Sequence, residues 1–496
     1  MSFTHFFNDV YEEDYSSSVE PLYGSLRNAS IDSDLLSQNI ENIPHAYSIL
    51  NDRVDFTMRN TYSIDPPGCE DADDAFSIFT TDDGLFLAIH IADPTECISL
   101  DTTLWNDIKK RVVTRYPSNR IPIHLMPMDI VDRASLMVNQ YGDVKNAITI
   151  FTKIDPETFL PIGHVKLLFS KVCLVMSNAF TYANANELLN NNDNQRDDAR
   201  NALSIGLNIS AALTAKRAEK TVGTKLGELS TSDISFSSDP THGPDLTSSD
   251  KAVDCIKKMI AEFAIFANGF VGEYLKIHMQ GRGIFRTCVT DDWINTVNTN
   301  IDGNELMNEI IINGIQADYL SENASHDLVG MPEYCHFTSP IRRMADCVCH
   351  YLIKYIHLRN SNPELVQPFT SEELTNLSKS CFQISKNMKK IQYRDNKFRL
   401  LQTMNHMLTL NYKPIPIKFF ITGYKEPYLN IIICNIGDHY VRMSYTYRVR
   451  RCLYNIDLRE THTVNILRVG RVTKFDEGIL PDLDVAVMKL IAETQV

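Results

Sequence analysis

The stretch TYSIDPPGCEDADDAFSI, residues 61–78, carries the reading of this chain. Asp65 closes a short apolar run. Asp71, Asp73 and Asp74 follow it six, eight and nine residues later, and Pro66, Pro67 and Gly68 force a turn between the two parts. Four aspartates within ten residues repel one another unless a cation neutralises them. Their donors are hard oxygens, which suit Mg2+ or Mn2+ rather than zinc. An EF-hand does not fit, because the glycine and the closing glutamate that its loop needs are absent. Paired divalent ions on carboxylates serve phosphodiester hydrolysis in many enzymes. From spacing alone two readings stand: a solvated acidic loop, and a metal-dependent phosphoryl-transfer site.

Outward from this stretch the chain is strand-rich. AFSIF (75–79), LFLAIHIAD (85–93), AITIFTKI (147–154) and HVKLLFSKVCLVM (164–176) are short, β-branched and aromatic. Two polar stretches, 190–200 and 230–250, are rich in Asn, Asp, Ser and Pro and read as exposed loops. In 253–275 apolar residues recur at helical spacing, and further helices are expected from near Ser339 and over 371–410. After Pro414 the pattern returns to strands, with IPIKFFITGY, LNIIICNI and HYVRMSYTYRV, which suits a small β-barrel such as an OB-fold. The expected fold class is α+β.

A second motif, YCHFTSPIRRMAD, spans 334–346. Ser339 suits an N-cap and Pro340 the first helical position, with Ile341, Met344, Ala345, Val348 and Leu352 defining the helix. Arg342 and Arg343 then fall in its first turn, where a cation opposes the helix dipole at a cost on the order of 0.3–1 kcal/mol. Either they pair with a neighbouring acid, or they converge with the free N–H groups of the helix start on a phosphate.

Composition sets bounds. Hydrophobic residues make up 44% and charged residues 22% of the 496, as in ordinary globular chains of roughly two to four domains. Net charge is −14, which by itself argues against nucleic acid, yet residues 381–451 hold 13 Lys or Arg against 3 Asp or Glu. This block is either a solvated helix face or a basic surface. Eleven scattered cysteines read as reduced thiols of an intracellular protein. Cys347, Cys349 and His350 lack a second ligand pair, so core cysteines are expected there rather than zinc. No basic leader with an apolar run opens the chain, and no stretch nears the roughly 18 apolar residues of a membrane span. The expected location is intracellular and cytoplasmic.

Together the two motifs resemble the catalytic (RNB) domain of the ribonuclease II family. The form DPPGCEDADDA looks most like the exosome exoribonuclease branch of that family. Further pieces match in the same order: LAIHIADPTECI (87–98), RVVTRYPSNRIPIHLMP (111–127), FTYANANELL (180–189) and IAEFAIFAN (260–268). The resemblance implies a mixed sheet wrapped by helices around an RNA channel over 51–410, an OB-fold-like RNA-binding domain over 411–496, and an extension over 1–50. It implies hydrolytic 3′-to-5′ degradation of single-stranded RNA to nucleoside 5′-monophosphates with Mg2+, or Mn2+ in its place. By the same resemblance Asp65, Asp71, Asp73 and Asp74 match the metal aspartates, and Asp73, Asp74 and Arg342 the catalytic set. Tyr116 matches an aromatic that stacks on the 3′-terminal base, and Glu262 an acid that contacts RNA. Arg343, Lys389 and Arg394 are expected to meet RNA phosphates.

Two departures are visible: Met344 stands at a family tyrosine, and Ala261 at one of two adjacent acids. The roughly 50 residues before the catalytic region are too few for the family's cold-shock barrels. A protein partner that replaces those RNA-gripping domains is therefore expected. The competing expectations are a catalytically silent RNA-binding or scaffold subunit, and a nuclease acting on DNA.

Overall fold

The computed structural model describes residues 45–448, apart from breaks at 50, 70, 118–121, 140–141, 191–196, 230–231, 236–244, 249–250, 291, 412–414 and 426–427, and then 461–466, 470–471 and 481–482. Nearly all of the expected 1–50 extension lies outside the described residues, as does part of 411–496.

Strands β1 (Val54–Asp55), β3 (Asp74–Thr81), β4 (Gly84–Ala92), β5 (Val144–Ile154) and β6 (Pro161–Cys173) form one sheet in the order β1-β6-β5-β4-β3. β3 to β6 run as an antiparallel meander, and β1 lies parallel to β6. β4 is apolar at almost every position because both of its faces are covered. On one face Phe76 meets Phe263 edge-on at 5.5 Å, where helices α4 (Asp197–Ala218) and α5 (Lys251–His278) pack. On the other, Phe79, Phe86 and Phe151 stack beside Phe56. That same face carries a buried polar ladder. Thr61, Ser77, His90, Thr149 and Ser170 are linked in series at 3.2, 3.0, 2.8 and 2.6 Å. Burial pushes the His90 imidazole down to about 3, so it stays neutral and joins two hydroxyls inside the sheet.

Among the described residues the other helices longer than one turn are α1 (Thr103–Arg111), α2 (Met128–Ala134), α3 (Tyr182–Asn190), α6 (Gly303–Ile312), α7 (Met344–Leu358) and the long α8 (Ser371–Asn411). The antiparallel pair of β10 (Arg282–Thr287) and β11 (Asp318–Glu322) packs against α8. The short strands β2 (Ser63–Asp65) and β7 (Ala179–Thr181) pair in parallel. At the C-terminal end β12 (Ile415–Lys425), β13 (Tyr428–Ile436), β14 (His439–Arg448) and β15 (Thr461–Ile466) make a four-stranded antiparallel sheet in the order β14-β13-β12-β15. The architecture is thus mixed α+β. Among the described residues no helix is long and apolar enough to cross a membrane.

Three local expectations change. Residues 197–200 open helix α4, and 232–235 pair with 245–248 as β8 and β9 (Ser232–Ser235, Asp245–Ser248), so the polar stretches contain regular structure. Helix α7 starts at Met344 rather than after Ser339, with Arg343 at the N-cap in extended conformation. Residues 340–342 form a turn instead, held by the Arg342 and Arg343 N–H groups donating to the Ser339 carbonyl. Cys347 and Cys349 pack fully buried in α7.

α7 is buried all round, and it carries a charge inward. The Lys354 ammonium, fully buried, lies 2.9 Å from Asp93 Oδ1 and 2.7 Å from Glu96 Oε2. Arg53 Nη2 meets Asp93 Oδ2 and Glu96 Oε2, each at 2.7 Å. Burial alone would raise the Asp93 carboxyl, but Lys354, His350 and Arg53 hold it well below the ordinary carboxylate range.

Glycine is required by close approach of backbone at Gly223, where a Cβ would collide with the Leu328 carbonyl, and at Gly272. At Gly272 the backbone of α5 lies so near Glu333 and Tyr334 that a Cβ would stand 2.8 Å from the Tyr334 nitrogen. Gly272→Ala is expected to lower stability by about 1–3 kcal/mol through overpacking against main chain that cannot yield. Urea unfolding of the two proteins measures it, and an unchanged midpoint would show that the two segments can move apart.

Candidate active site

The acidic motif is shaped by local chemistry. Asp65 ends β2, and Pro67 and Gly68 (φ 78°) occupy the centre of a turn closed by the Cys69 N–H donating to the Pro66 carbonyl at 3.2 Å. Asp74 opens β3 opposite Ile91. Main-chain bonds from Leu136 to Ala72 and from Ala92 to Asp73 pin the returning segment to its neighbours. The result places Asp65, Asp73 and Asp74 in one electrostatic neighbourhood. Burial raises the Asp65 carboxyl, and its Oδ2 is buried without a hydrogen-bond partner. Burial and then the Asp65 charge push Asp74 up to about 6. Asp71 is more exposed and accepts from the Cys69 thiol at 3.6 Å.

Asp73 is spoken for. Its Oδ1 accepts the Ile341 N–H at 2.9 Å and its Oδ2 the Arg342 Nε–H at 3.0 Å. Burial pushes its carboxyl up to about 7, against the pull of Arg342 and the Ile341 N–H. Arg342 also donates from Nη2 to Ser339 Oγ at 2.8 Å, yet its side chain remains 46% exposed. Asp73 therefore aims a guanidinium whose outer edge is open. Arg343 instead pairs with the fully buried Asp346 at 2.9 Å. The sequence alternatives for the two arginines thus divide: both pair with acids, and Arg342 keeps an accessible face. The N–H groups of the segment do not converge on a free site, since Asp73 takes that of Ile341 and Asp346 that of Ser339.

The donor set suits a hard divalent cation: all oxygens, several held above their ordinary range, one buried and unsatisfied. Among the described residues, no three His, Cys, Asp or Glu side chains are grouped closely enough to enclose a metal ion.

Tyr116 is 45% exposed, and partial burial pushes its phenol up to about 12, with Arg342, Asp71 and Asp73 in electrostatic reach. Tyr182 was missed as a site residue. The β2–β7 register sets Thr181 opposite Asp65, so Tyr182 starts α3 beside the carboxylates. Burial, then Asp74 and Asp65, raise its phenol. Nothing local in FTYANANELL announces this, because the pairing joins strands more than a hundred residues apart. Glu262 does not offer itself to RNA: Arg217 takes both its oxygens, Nε to Oε1 at 2.7 Å and Nη2 to Oε2 at 2.6 Å. Lys389 projects from α8 with an exposed side chain. Arg394 lies on the same helix, and its side chain is outside the described residues.

Residues 53–358, more than half of the chain, match the RNB domain. The chain belongs to the RNB-domain family. This RNB protein is 23% identical over 360 residues to the Exosome complex exonuclease dis3 of Schizosaccharomyces pombe, an alignment covering 64% of this chain and 36% of that one. It is 27% identical over 388 residues to Exoribonuclease 2 of Mannheimia succiniciproducens, covering 67% and 56%. The RNB chain so spans from about a third to just over half the length of these curated relatives. Exosomal and bacterial relatives stand at similar identity, and family membership does not single out either branch. In structure it is similar to Mycoplasma genitalium RNase R in complex with ribose methylated single-stranded RNA, with TM-score 0.64 at 17% identity over 82% of this chain and 66% of that one. It is also similar to yeast Ssd1, a pseudonuclease, with TM-score 0.58 at 16% identity over 79% and 50%. At such identities the likeness shows the fold alone, a fold shared by an RNA-bound RNase and a pseudonuclease.

Proposed function

We propose that this RNB protein hydrolyses single-stranded RNA from its 3′ end and releases nucleoside 5′-monophosphates. The observation that carries the reading is the Asp73–Arg342 pair, which brings the acidic motif and an accessible guanidinium into one site. Water adds to phosphorus and the P–O3′ bond breaks. The released nucleotide keeps the phosphate on its 5′ carbon, and the shortened RNA keeps a 3′-hydroxyl. Asp65, Asp71 and Asp74 are the residues that would hold Mg2+, or Mn2+ in its place. Such an ion supplies an activated water and charge neutralisation at the phosphate. Asp73 orients Arg342, whose free edge binds the non-bridging oxygens. Tyr116 stacks on the terminal base, an interaction worth about 1–3 kcal/mol and tolerant of sequence. Arg343 and Lys389 contact the RNA backbone, with Arg394 added on its sequence position alone, while Glu262 is left out because Arg217 occupies it. In this reading 51–410 is the catalytic domain, preceded by an extension over 1–50. The β12–β15 sheet belongs to an OB-like barrel over 411–496.

A gel time course on 5′-labelled single-stranded RNA with Mg2+ tests the proposal. The expected result is a ladder shrinking from the 3′ end, with a matched DNA oligonucleotide left intact. A silent RNA-binding subunit is the second reading, favoured by the lack of three convergent ligands among the described residues. No product with Mg2+ or Mn2+, while the RNA still shifts in a gel, decides for it.

The raised carboxyls set a pH dependence. Folded-state values near 6 for Asp74 and 7 for Asp73 lie above the ordinary 3.8. The stability tied to their neutral forms is fully present below 3.8 and is lost as pH rises through 6 to 7. A bound cation compensates only once the carboxyls ionise. Mg2+ is therefore expected to raise Tm clearly at pH 8 and little at pH 5.5. Equal shifts at both pH values, or none, would remove Asp74 from the metal site.

A further inference from the structure

Helix α7 meets the 337–342 segment with three side chains, and each takes a different main-chain group. Asp346 Oδ1 accepts the Ser339 N–H at 2.8 Å. The Cys347 thiol donates to the Pro340 carbonyl at 3.0 Å. His350 Nε2 lies 3.1 Å from the Phe337 carbonyl, and a carbonyl only accepts, so Nε2 carries the hydrogen. The Phe337 ring packs on the same imidazole, with centroids 4.9 Å apart. Asn268 Oδ1 accepts the Phe337 N–H at 2.8 Å, so this residue is gripped at both of its polar main-chain groups. Beyond the turn the chain is held by main chain instead. The Thr114 N–H donates to the Arg342 carbonyl at 3.0 Å, and the Met344 N–H to the Val112 carbonyl at 2.9 Å.

His350 is fully buried, and behind it stands the Asp93 carboxylate. Nδ1 is 3.9 Å from Asp93 Oδ1, too far for a hydrogen bond, while Lys354 and Arg53 bind that carboxylate directly. The imidazole is thus set between the buried charge network and the turn that delivers Arg342. The Arg342 guanidinium meets Asp73 and Ser339 Oγ from the end of that turn. A shift of the turn by about 1 Å would carry it off both partners, and misplacement on that scale lowers catalysis by up to about a hundredfold.

We propose that His350 is a positioning residue for Arg342, acting through the Phe337 carbonyl. Its effect on rate rests on the exoribonuclease reading; its effect on the Arg342 side chain rests on geometry alone.

His350→Gln and His350→Asn test this. The Gln amide nitrogen can take the place of Nε2, whereas the shorter Asn amide stands near that of Nδ1. Both are compared with wild type as full chains, with kcat and KM on 5′-labelled RNA in Mg2+ corrected for the fraction folded. Arg342 is also modified with phenylglyoxal, without RNA or metal, and read by peptide mass spectrometry against the exposed Arg59 as internal standard. The Asn variant is expected to lower kcat about tenfold or more with KM within about threefold. Its Arg342 is expected to react about fivefold faster, because the bonds to Asp73 and Ser339 loosen. The Gln variant should stay within about threefold of wild type in all three measurements. A purely structural role lowers the folded fraction in both variants and leaves the Arg342-to-Arg59 ratio where it was. Asn is the smaller side chain, so it carries the test against wild type even where Gln does not fold. A ratio within about twofold of wild type in the Asn variant would overturn the proposal. So would a raised KM with kcat intact, or equal losses in Gln and Asn. Wild-type protein that cleaves no RNA with Mg2+ or Mn2+ sinks the exoribonuclease reading, and the labelling ratio then decides the positioning role by itself.

Discussion

Asp74→Asn is expected to cut RNA hydrolysis by roughly a thousandfold or more while leaving RNA affinity within a few-fold. The asymmetry follows from position. Asp74 sits where burial and the Asp65 charge already disfavour its ionised form, so its carboxylate gains most from a cation. The amide keeps the size and loses the charge. In the proposed reading RNA affinity rests instead on stacking and phosphate contacts that Asp74 does not make. A time course on 5′-labelled RNA, with a parallel filter-binding titration, separates the two. A variant that cleaves within tenfold of wild type would take Asp74 out of the chemistry. Arg342→Lys makes a useful companion: the charge stays but the Nε–H bond to Asp73 and the planar edge are lost.

Lys354→Met is expected to cost about 3–5 kcal/mol of stability, more than the Gly272→Ala change. Lys354 and Arg53 together balance Asp93 and Glu96 in a site closed to water. Methionine fills the volume but leaves two buried carboxylates facing one guanidinium. The four groups join the residue before β1, the turn after β4 and helix α7, so their loss loosens the frame that carries the 338–343 turn. Chemical denaturation reads the effect, and a loss under about 1 kcal/mol would mean that water enters and solvates the remaining acids. Asp93→Asn combined with Lys354→Met should recover part of the loss, because one orphaned charge is then removed.

Much of this was legible in the residues themselves. The Pro-Pro-Gly turn, the carboxylates at strand ends, the fully apolar β4 and the long helices over 253–275 and 371–410 follow from local conformational preference and from which faces are buried. Such signals act within a few residues, so they survive in the linear pattern. The start of α7 did not. Ser339 and Pro340 have the residue types of a helix start. The chain turns there instead because Asp73, 268 residues earlier, claims the Ile341 N–H. Lys354 reads as an interruption of an apolar helix until Asp93 and Glu96 are brought to it.

By itself, then, the amino-acid order determined the strands of the main sheet, the long helices over 253–275 and 371–410, the turn within the acidic motif and the residue types of the proposed phosphodiester site. Only the tertiary structure decided which charges meet. It gave Asp73 to Arg342, Arg343 to Asp346 and Glu262 to Arg217, placed Tyr182 beside Asp65, and set His350 between Asp93 and the Phe337 carbonyl. The reason is physical: periodicity reports how a side chain faces its own strand or helix. A hydrogen bond or ion pair depends on which distant element is packed opposite, and on how much water that packing excludes.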